Sequence, residues 1–150
     1  MSGFHLRKMT AADLPAVHNL VRELAIYEKA PENHTATVAD YERDLAAGWF
    51  AGQVAVDDAS QEVLGMIFFY ESYSTWRGRM LYLEDFVVRE SERGRGIGAV
   101  LFEAFLEEAR QRQCVLAKWQ VLDWNEPAIN FYKKYDALLD GEWLNGRIFL

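Results

Sequence analysis

The chain has 150 residues, 51% of them apolar or aromatic, and 23 acidic against 16 basic side chains give it a formal net charge of −7. That apolar content excludes a disordered chain and suits one domain, residues 1–150, burying about two-thirds of its unfolded surface. The acidic balance argues against nucleic acid as a partner, no apolar run reaches the roughly 18 residues of a membrane span, and the single cysteine allows no internal disulfide. No signal peptide is read at the start, so a cytoplasmic protein is expected.

Residues 4–9 (FHLRKM) read as a first strand closed by Thr10. Thr10-x-x-Asp13 has capping-box spacing, and Leu14, Val17, Leu20, Val21 and Leu24 lay one apolar stripe along a helix that ends before Pro31. Thr37-x-x-Asp40 opens a second, shorter helix that stops at Gly48. Residues 50–56 and 63–73 form two strands around an acidic turn at 57–62, an antiparallel hairpin. A polar and aromatic stretch, 72–79 (SYSTWRGR), leads into 80–88 (MLYLEDFVV), a buried strand interrupted by Glu84 and Asp85. Residues 89–99 (RESERGRGIGA) are a glycine-rich turn. The helix after it repeats Val100, Leu101, Phe102, Ala104, Phe105, Leu106 and Ala109 at helical spacing. Residues 115–122 are a further strand, and 127–135 a short helix with Pro127 at its first position. The tail closes as a hairpin on Asn145-Gly146, flanked by Trp143-Leu144 and Ile148-Phe149-Leu150. The resulting order is βααβββαβαββ, a mixed α/β sheet flanked by helices.

A strand, a glycine-rich turn and a helix N-terminus bring several backbone N–H groups together, and the helix dipole adds partial positive charge. The turn therefore suits a pyrophosphate. Gly94, Gly96 and Ala99 fit G-x-G-x-x-A, but a dinucleotide fold places that motif after its first strand and an acid about 20 residues on. Here the motif lies beyond residue 90, and 116–121 (LAKWQV) holds no acid. A Walker loop needs Gly-Lys-Ser/Thr, which is absent.

Arg93-x-x-Gly96-x-Gly98 resembles the acetyl-CoA signature of the GNAT superfamily of N-acetyltransferases. Together, YLEDFVV, RGRGIG and 124–132 (WNEPAINFY) are similar to its spermidine/spermine, diamine and thialysine branch. The resemblance implies the GNAT acyltransferase fold, acetyl-CoA as co-substrate, and no metal. It implies a small amine as substrate and a homodimer as assembly.

Acetyl transfer to an amine requires loss of an ammonium proton near pKa 10.4, a held oxyanion and a protonated leaving thiolate. Adjacent residues in a regular strand point to opposite faces, so one of Glu84 and Asp85 is expected to face an apolar layer. The residues alone leave a structural ion pair with Arg77 or Arg79 open. The resemblance makes Glu84 the base and Asp85 a carboxylate that binds the cation. It makes Tyr132 the acid for the thiolate, which a phenol with an ordinary pKa near 10 can be. By the same resemblance Phe86, Val87 and Val88 pair with pantetheine, with the Val88 N–H a candidate oxyanion donor. Arg93, Gly94, Arg95, Gly96, Ile97, Gly98 and Ala99 then line the cofactor turn, while Asn125, Glu126, Pro127, Ala128 and Lys134, with Lys133, complete the cofactor site. Tyr27, Glu28, Trp76, Lys118, Trp119, Gln120 and Glu142 are candidates for substrate contact. His5, His18 and His34 lack metal-site spacing, and Cys114 reads as a buried thiol.

The expectation is an acetyl-CoA-dependent N-acetyltransferase acting on a polyamine, diamine or thialysine-like amine by direct attack in a ternary complex. Two rivals stay open: another acceptor (amino acid, antibiotic amine or protein lysine), and a CoA-binding module without catalysis. The chain departs from the branch in stopping soon after its last strand and in carrying Asp136 where glycine is usual after the last helix.

Overall fold

The computed structural model describes residues 3–150, which form two compact units, one through Trp119 and one of Gln120–Leu150. In the first, β1 (Phe4–Lys8), α1 (Leu14–Tyr27), α2 (Val38–Ala46), β2 (Ala51–Asp57), β3 (Val63–Ser74), β4 (Gly78–Val88), α3 (Ile97–Gln111) and β5 (Leu116–Trp119) follow in order. The five strands make one sheet in the order β1-β2-β3-β4-β5. Neighbours are antiparallel except β4 and β5, which are parallel and joined through α3.

Both helix starts expected from Thr-x-x-Asp form capping boxes. Asp13 also takes two 2.8 Å hydrogen bonds from the Arg7 guanidinium, so this buried carboxylate is paired and ties α1 to β1. Between α1 and the sheet lie Leu14, Val17 and Leu20 with Val54, Val56, Met66 and Val87, and Tyr41 and Leu45 of α2 pack on the same cluster. Period-two alternation sends the other residues of β3 to the opposite face. There Phe69 meets Phe105 of α3 at 6.1 Å between ring centroids, and Phe102 meets Phe86 at 5.9 Å and Trp119 at 5.3 Å. The sheet is thus covered by α1 and α2 on one side and by α3 on the other.

The second unit holds one helix, α4 (Glu126–Lys133), and no strand. The hairpin expected on Asn145-Gly146 is therefore corrected: residues 137–150 have no regular structure. Leu144 is 98% exposed and Phe149 80%, so the flanking residues bury nothing that would hold two short strands together. Asn145 accepts a 2.8 Å hydrogen bond from Gln120 instead. None of the helices among the described residues is long and apolar enough to cross a membrane.

Candidate active site

The expectation that Glu84 and Asp85 face opposite ways is overturned by a β-bulge. Asp85 pairs with Phe68 and Leu83 with Phe69, so Glu84 is an extra residue with no partner on β3. Leu83 shares the α3 face with Phe69. Asp85 shares the α1–α2 face with Phe68, whose ring stacks on Phe50 at 4.0 Å and meets Tyr41 at 5.9 Å. Glu84 is on that face too, where Tyr70 donates to its Oε2 at 3.4 Å. Neither Arg77 nor Arg79 pairs with it, and Arg79 donates to Gln113 instead. Both carboxylates therefore open on one side.

Burial, Glu84 and Glu28 together push the Asp85 carboxyl up to about 7. Burial raises Glu28, which caps the end of α1. Among the described residues, no Lys or Arg forms an ion pair with Glu28, Glu84 or Asp85. Three tyrosines line the same face. Burial, Asp85 and Glu84 push Tyr41 up to about 12, and burial, Glu84 and Tyr82 do the same for Tyr70. Tyr82, stacked on Tyr70 at 5.3 Å, is raised by burial and both carboxylates. Tyr41 is also 3.4 Å from His34 Nε2 through its hydroxyl. The arrangement is an acidic face flanked by phenols that keep their protons, suited to a cation.

β5 pairs with β4 only from Met80 to Leu83, so residues 84–88 have no partner in β5. Phe86 and Val88 point to the α3 face, and a Cβ on Gly98 would lie 3.7 Å from Phe86 Cζ and 3.8 Å from Val88 Cγ2. The glycine turn comes next. Gly94 and Gly96 have φ of 84° and 79°, and Ile97, Gly98 and Ala99 open α3 with N–H groups that lack intrahelical partners by their position. Arg93 is exposed, whereas the Arg95 side chain is 15% exposed and donates to Glu92 at 2.6 Å. The other candidates in this unit are spread over several elements, Lys118 pairing with Tyr82 of β4. Tyr27 ends α1, Lys118 is exposed on β5, and Trp119 packs on Phe102. Trp76 is 88% exposed at the β3–β4 turn, with Gly78 six residues, or roughly 20 Å, down the strand from Glu84.

In the second unit, Asn125 caps α4, its side chain accepting from the Ala128 N–H at 3.4 Å, with Glu126 and Pro127 in the first turn. Tyr132 is buried, edge-on to Phe131 at 5.6 Å, while Lys133 and Lys134 are exposed. Asp136 sits at φ 56°, the left-handed backbone that makes glycine usual there. Gln120 is held by Asn145, and Glu142 is exposed.

The Acetyltransferase (GNAT) family matches residues 14–136, from the start of α1 to the residue that ends the α4 turn. The chain belongs to the GNAT acetyltransferases. It is 33% identical over 162 aligned positions to the thialysine N-epsilon-acetyltransferase of Mus musculus, covering 98% of this chain and 93% of the mouse protein. It is 32% identical over 145 to the spermidine/spermine N(1)-acetyltransferase-like protein 1 of Homo sapiens, covering 92% of this chain but spanning only 21% of that longer protein. A solved Trypanosoma brucei acetyltransferase superposes with a TM-score of 0.77 at 19% identity, over 97% of this chain and all (100%) of that one, a likeness of fold.

This acetyltransferase has three site tyrosines that its sequence did not disclose. Tyr70 and Tyr82 carry a faint signal, alternating toward Glu84 along their strands, but Tyr41 has none. It reaches the acidic face only because α2 packs there. Among the described residues no group of three His, Cys, Asp or Glu side chains could hold a metal ion.

Two measurements check this geometry. The folded acetyltransferase keeps a proton on Asp85 up to about pH 7, where an Asp of ordinary pKa 3.8 has released it. Stability contributed by that proton falls as pH rises from about 4 to about 7 and is level above that. Asp85→Asn is expected to melt higher than wild type at pH 8 and to match it near pH 4 in thermal scans. At the turn, Gly96→Ala forces a left-handed alanine, a cost of roughly 1–2 kcal/mol. Gly98→Ala makes ordinary contacts and is expected to be neutral in urea denaturation.

Proposed function

We propose that the enzyme transfers acetyl from acetyl-CoA to the primary amine of a small cation, namely a polyamine, a diamine or a thialysine-like amino acid. The observation that carries this reading is that Glu28, Glu84 and Asp85 share one face and, among the described residues, have no Lys or Arg ion-pair partner. An ammonium entering there turns carboxylate repulsion into attraction. The relatives named for thialysine and for spermidine or spermine support the same acceptor class. A thiol-release assay with acetyl-CoA and spermidine, putrescine, thialysine and lysine tests it. Turnover with none of the four would remove this acceptor class.

In this reading the acetyl-CoA lies along the half of β4 that β5 leaves unpaired. Phe86, Val87 and Val88 pair with the pantetheine arm, and the Val88 N–H faces the carbonyl oxygen that becomes the oxyanion. The phosphates take the N–H groups of the Gly94–Ala99 turn, with Arg93, Lys133 and Lys134 adding charge. Asn125, Glu126, Pro127 and Ala128 serve the pantetheine side. Glu84 takes the ammonium proton and Asp85 holds the substrate charge, with Tyr27, Glu28, Lys118, Gln120 and Glu142 as further substrate contacts. The freed amine attacks the acetyl carbon, the C–S bond breaks as Tyr132 gives its proton to the departing thiolate, and the second proton of the acylated nitrogen returns through solvent to the tyrosinate, leaving a neutral amide. The reaction is cytoplasmic in this reading.

Positioned acid–base groups contribute about 10²–10⁴-fold. Glu84→Gln is expected to lose activity mainly near neutral pH and to recover part of it as pH rises and more amine arrives deprotonated. Tyr132→Phe should lower turnover while leaving acetyl-CoA affinity unchanged. pH–rate profiles and calorimetry check both, and full turnover in Tyr132→Phe would make that residue a packing group.

We also propose a homodimer, with the exposed Trp143, Leu144, Ile148 and Phe149 of the tail as contact surface. Light scattering at micromolar concentration is expected to give twice the chain mass, and a monomer mass would remove the claim.

A further inference from the structure

At one end of the sheet, segments far apart in sequence are joined by charge. Asp57, buried at the end of β2, accepts through Oδ2 from the N–H groups of Ala59 (3.1 Å) and Ser60 (2.9 Å) and from the Ser60 hydroxyl (3.1 Å). Its Oδ1 lies 4.0 Å from Arg95 Nη2. Arg95 donates through Nη1 to Glu92 at 2.6 Å, and its guanidinium lies over the Phe4 ring of β1 at 5.8 Å. A second tie runs alongside: Arg89 pairs with Glu62 at 3.3 Å, and its N–H donates to the Leu64 carbonyl at 2.8 Å.

We propose that Arg95 is a positioning residue for the phosphate-binding turn, acting through Asp57, Glu92 and Phe4 rather than as a ligand of the phosphates. The inference rests on the acetyl-CoA reading of that turn. Arg95 stands between Gly94 and Gly96, the two residues whose backbones are in the left-handed region. Glycines lose more freedom than other residues when ordered, so a turn built on two of them costs entropy each time it closes on a ligand. Fixing the side chain between them fixes the dihedrals on both sides before the ligand arrives, which is how preorganisation raises affinity. A guanidinium held against two carboxylates and a ring also has little charge left for a phosphate, and the exposed Arg93 is better placed to supply it. A buried ion pair adds little net stability, since desolvation offsets attraction, so a defined turn geometry is a reason for one here.

The test is calorimetric titration of wild type, Asp57→Asn, Arg95→Met, Glu92→Gln and the Asp57→Asn/Arg95→Met double variant. The probes are CoA and pantetheine, which lacks the phosphates. Asp57→Asn touches no ligand atom, yet it is expected to weaken CoA on the order of ten- to a hundredfold, the scale of a misplaced binding group. Arg95→Met should lose a similar factor and the double variant no more than the larger single loss. Pantetheine binding should stay at the wild-type value throughout. Glu92→Gln removes a more exposed partner and should weaken CoA in the same direction, which keeps the test alive if Asp57→Asn does not fold. The proposal fails if Asp57→Asn and Glu92→Gln bind CoA as wild type does, or more tightly, while Arg95→Met alone loses affinity. Arg95 would then be a direct phosphate ligand. It also fails if pantetheine and CoA weaken equally, since the loss would then be general. A wild type that binds no CoA would instead remove the acetyl-CoA reading itself, and the positioning role with it.

Discussion

One extra residue in β4 decides which groups this protein can use. Leu83 faces α3, and in a regular strand Asp85 would follow it onto that face, against Phe102 and its neighbours. An unpaired carboxylate there costs several kcal/mol on the order-of-magnitude scale for buried ions. The bulge at Glu84 shifts the alternation by one, so Asp85 joins Glu84 on the α1–α2 face, and Phe86 and Val88 return to the α3 face. One backbone irregularity thus puts both carboxylates on the α1–α2 face and keeps them off the α3 face. The contact of Phe86 and Val88 with the start of α3 depends on the same shift.

Placing three carboxyls together without a cation leaves the fold with a local electrostatic cost. Burial and like charge hold Asp85 up to about 7, so the site accommodates its own repulsion partly by keeping a proton. The surrounding phenols are raised as well and act as hydrogen-bond donors, never as bases, near neutral pH. Such a site is a place where function is held against stability. A bound ammonium would relieve the repulsion, but the same field also raises the ammonium's own pKa. Binding and deprotonation therefore pull in opposite directions. In the proposed reaction a base that is itself part of the field, Glu84, resolves this by taking the proton over a short path.

Much of this was legible in the residues. The two Thr-x-x-Asp boxes, the β2–β3 hairpin, the RGRGIG turn and the Asn125–Pro127 helix start are local signals, each dictated by capping or by a backbone that only glycine adopts easily. What depended on distant packing was not legible. Period-two alternation separates Glu84 from Asp85 and gives no warning of a bulge, because the bulge is a property of the pairing with β3. Arg95 reads as a basic residue of the cofactor turn beside Arg93, and sequence shows its charge without showing that Asp57 at the end of β2 lies 4.0 Å from it. Asn145-Gly146 is a strong turn pair, yet a hairpin also needs a face to bury, and its flanking residues Trp143, Leu144, Ile148 and Phe149 are exposed.

The bulge also explains where the sheet opens. The last β4–β5 pair is Leu83 with Trp119, and the bulged Glu84 is the very next residue of β4. A bulge bends its strand and increases the local twist, which turns the following backbone away from a neighbour that was parallel to the regular part. β3 can follow that bend because it pairs residue by residue on both sides of the irregularity, from Gly78 to Val88. β5, only four residues long, does not. One inserted residue therefore gathers the carboxylates on one face of β4 and leaves 84–88 without a strand in β5. The acidic face and the β4 backbone left without a β5 partner consequently begin at the same residue. In the proposed reaction that coincidence serves a transfer between two bound molecules, whose reacting atoms must meet within about 3–3.5 Å.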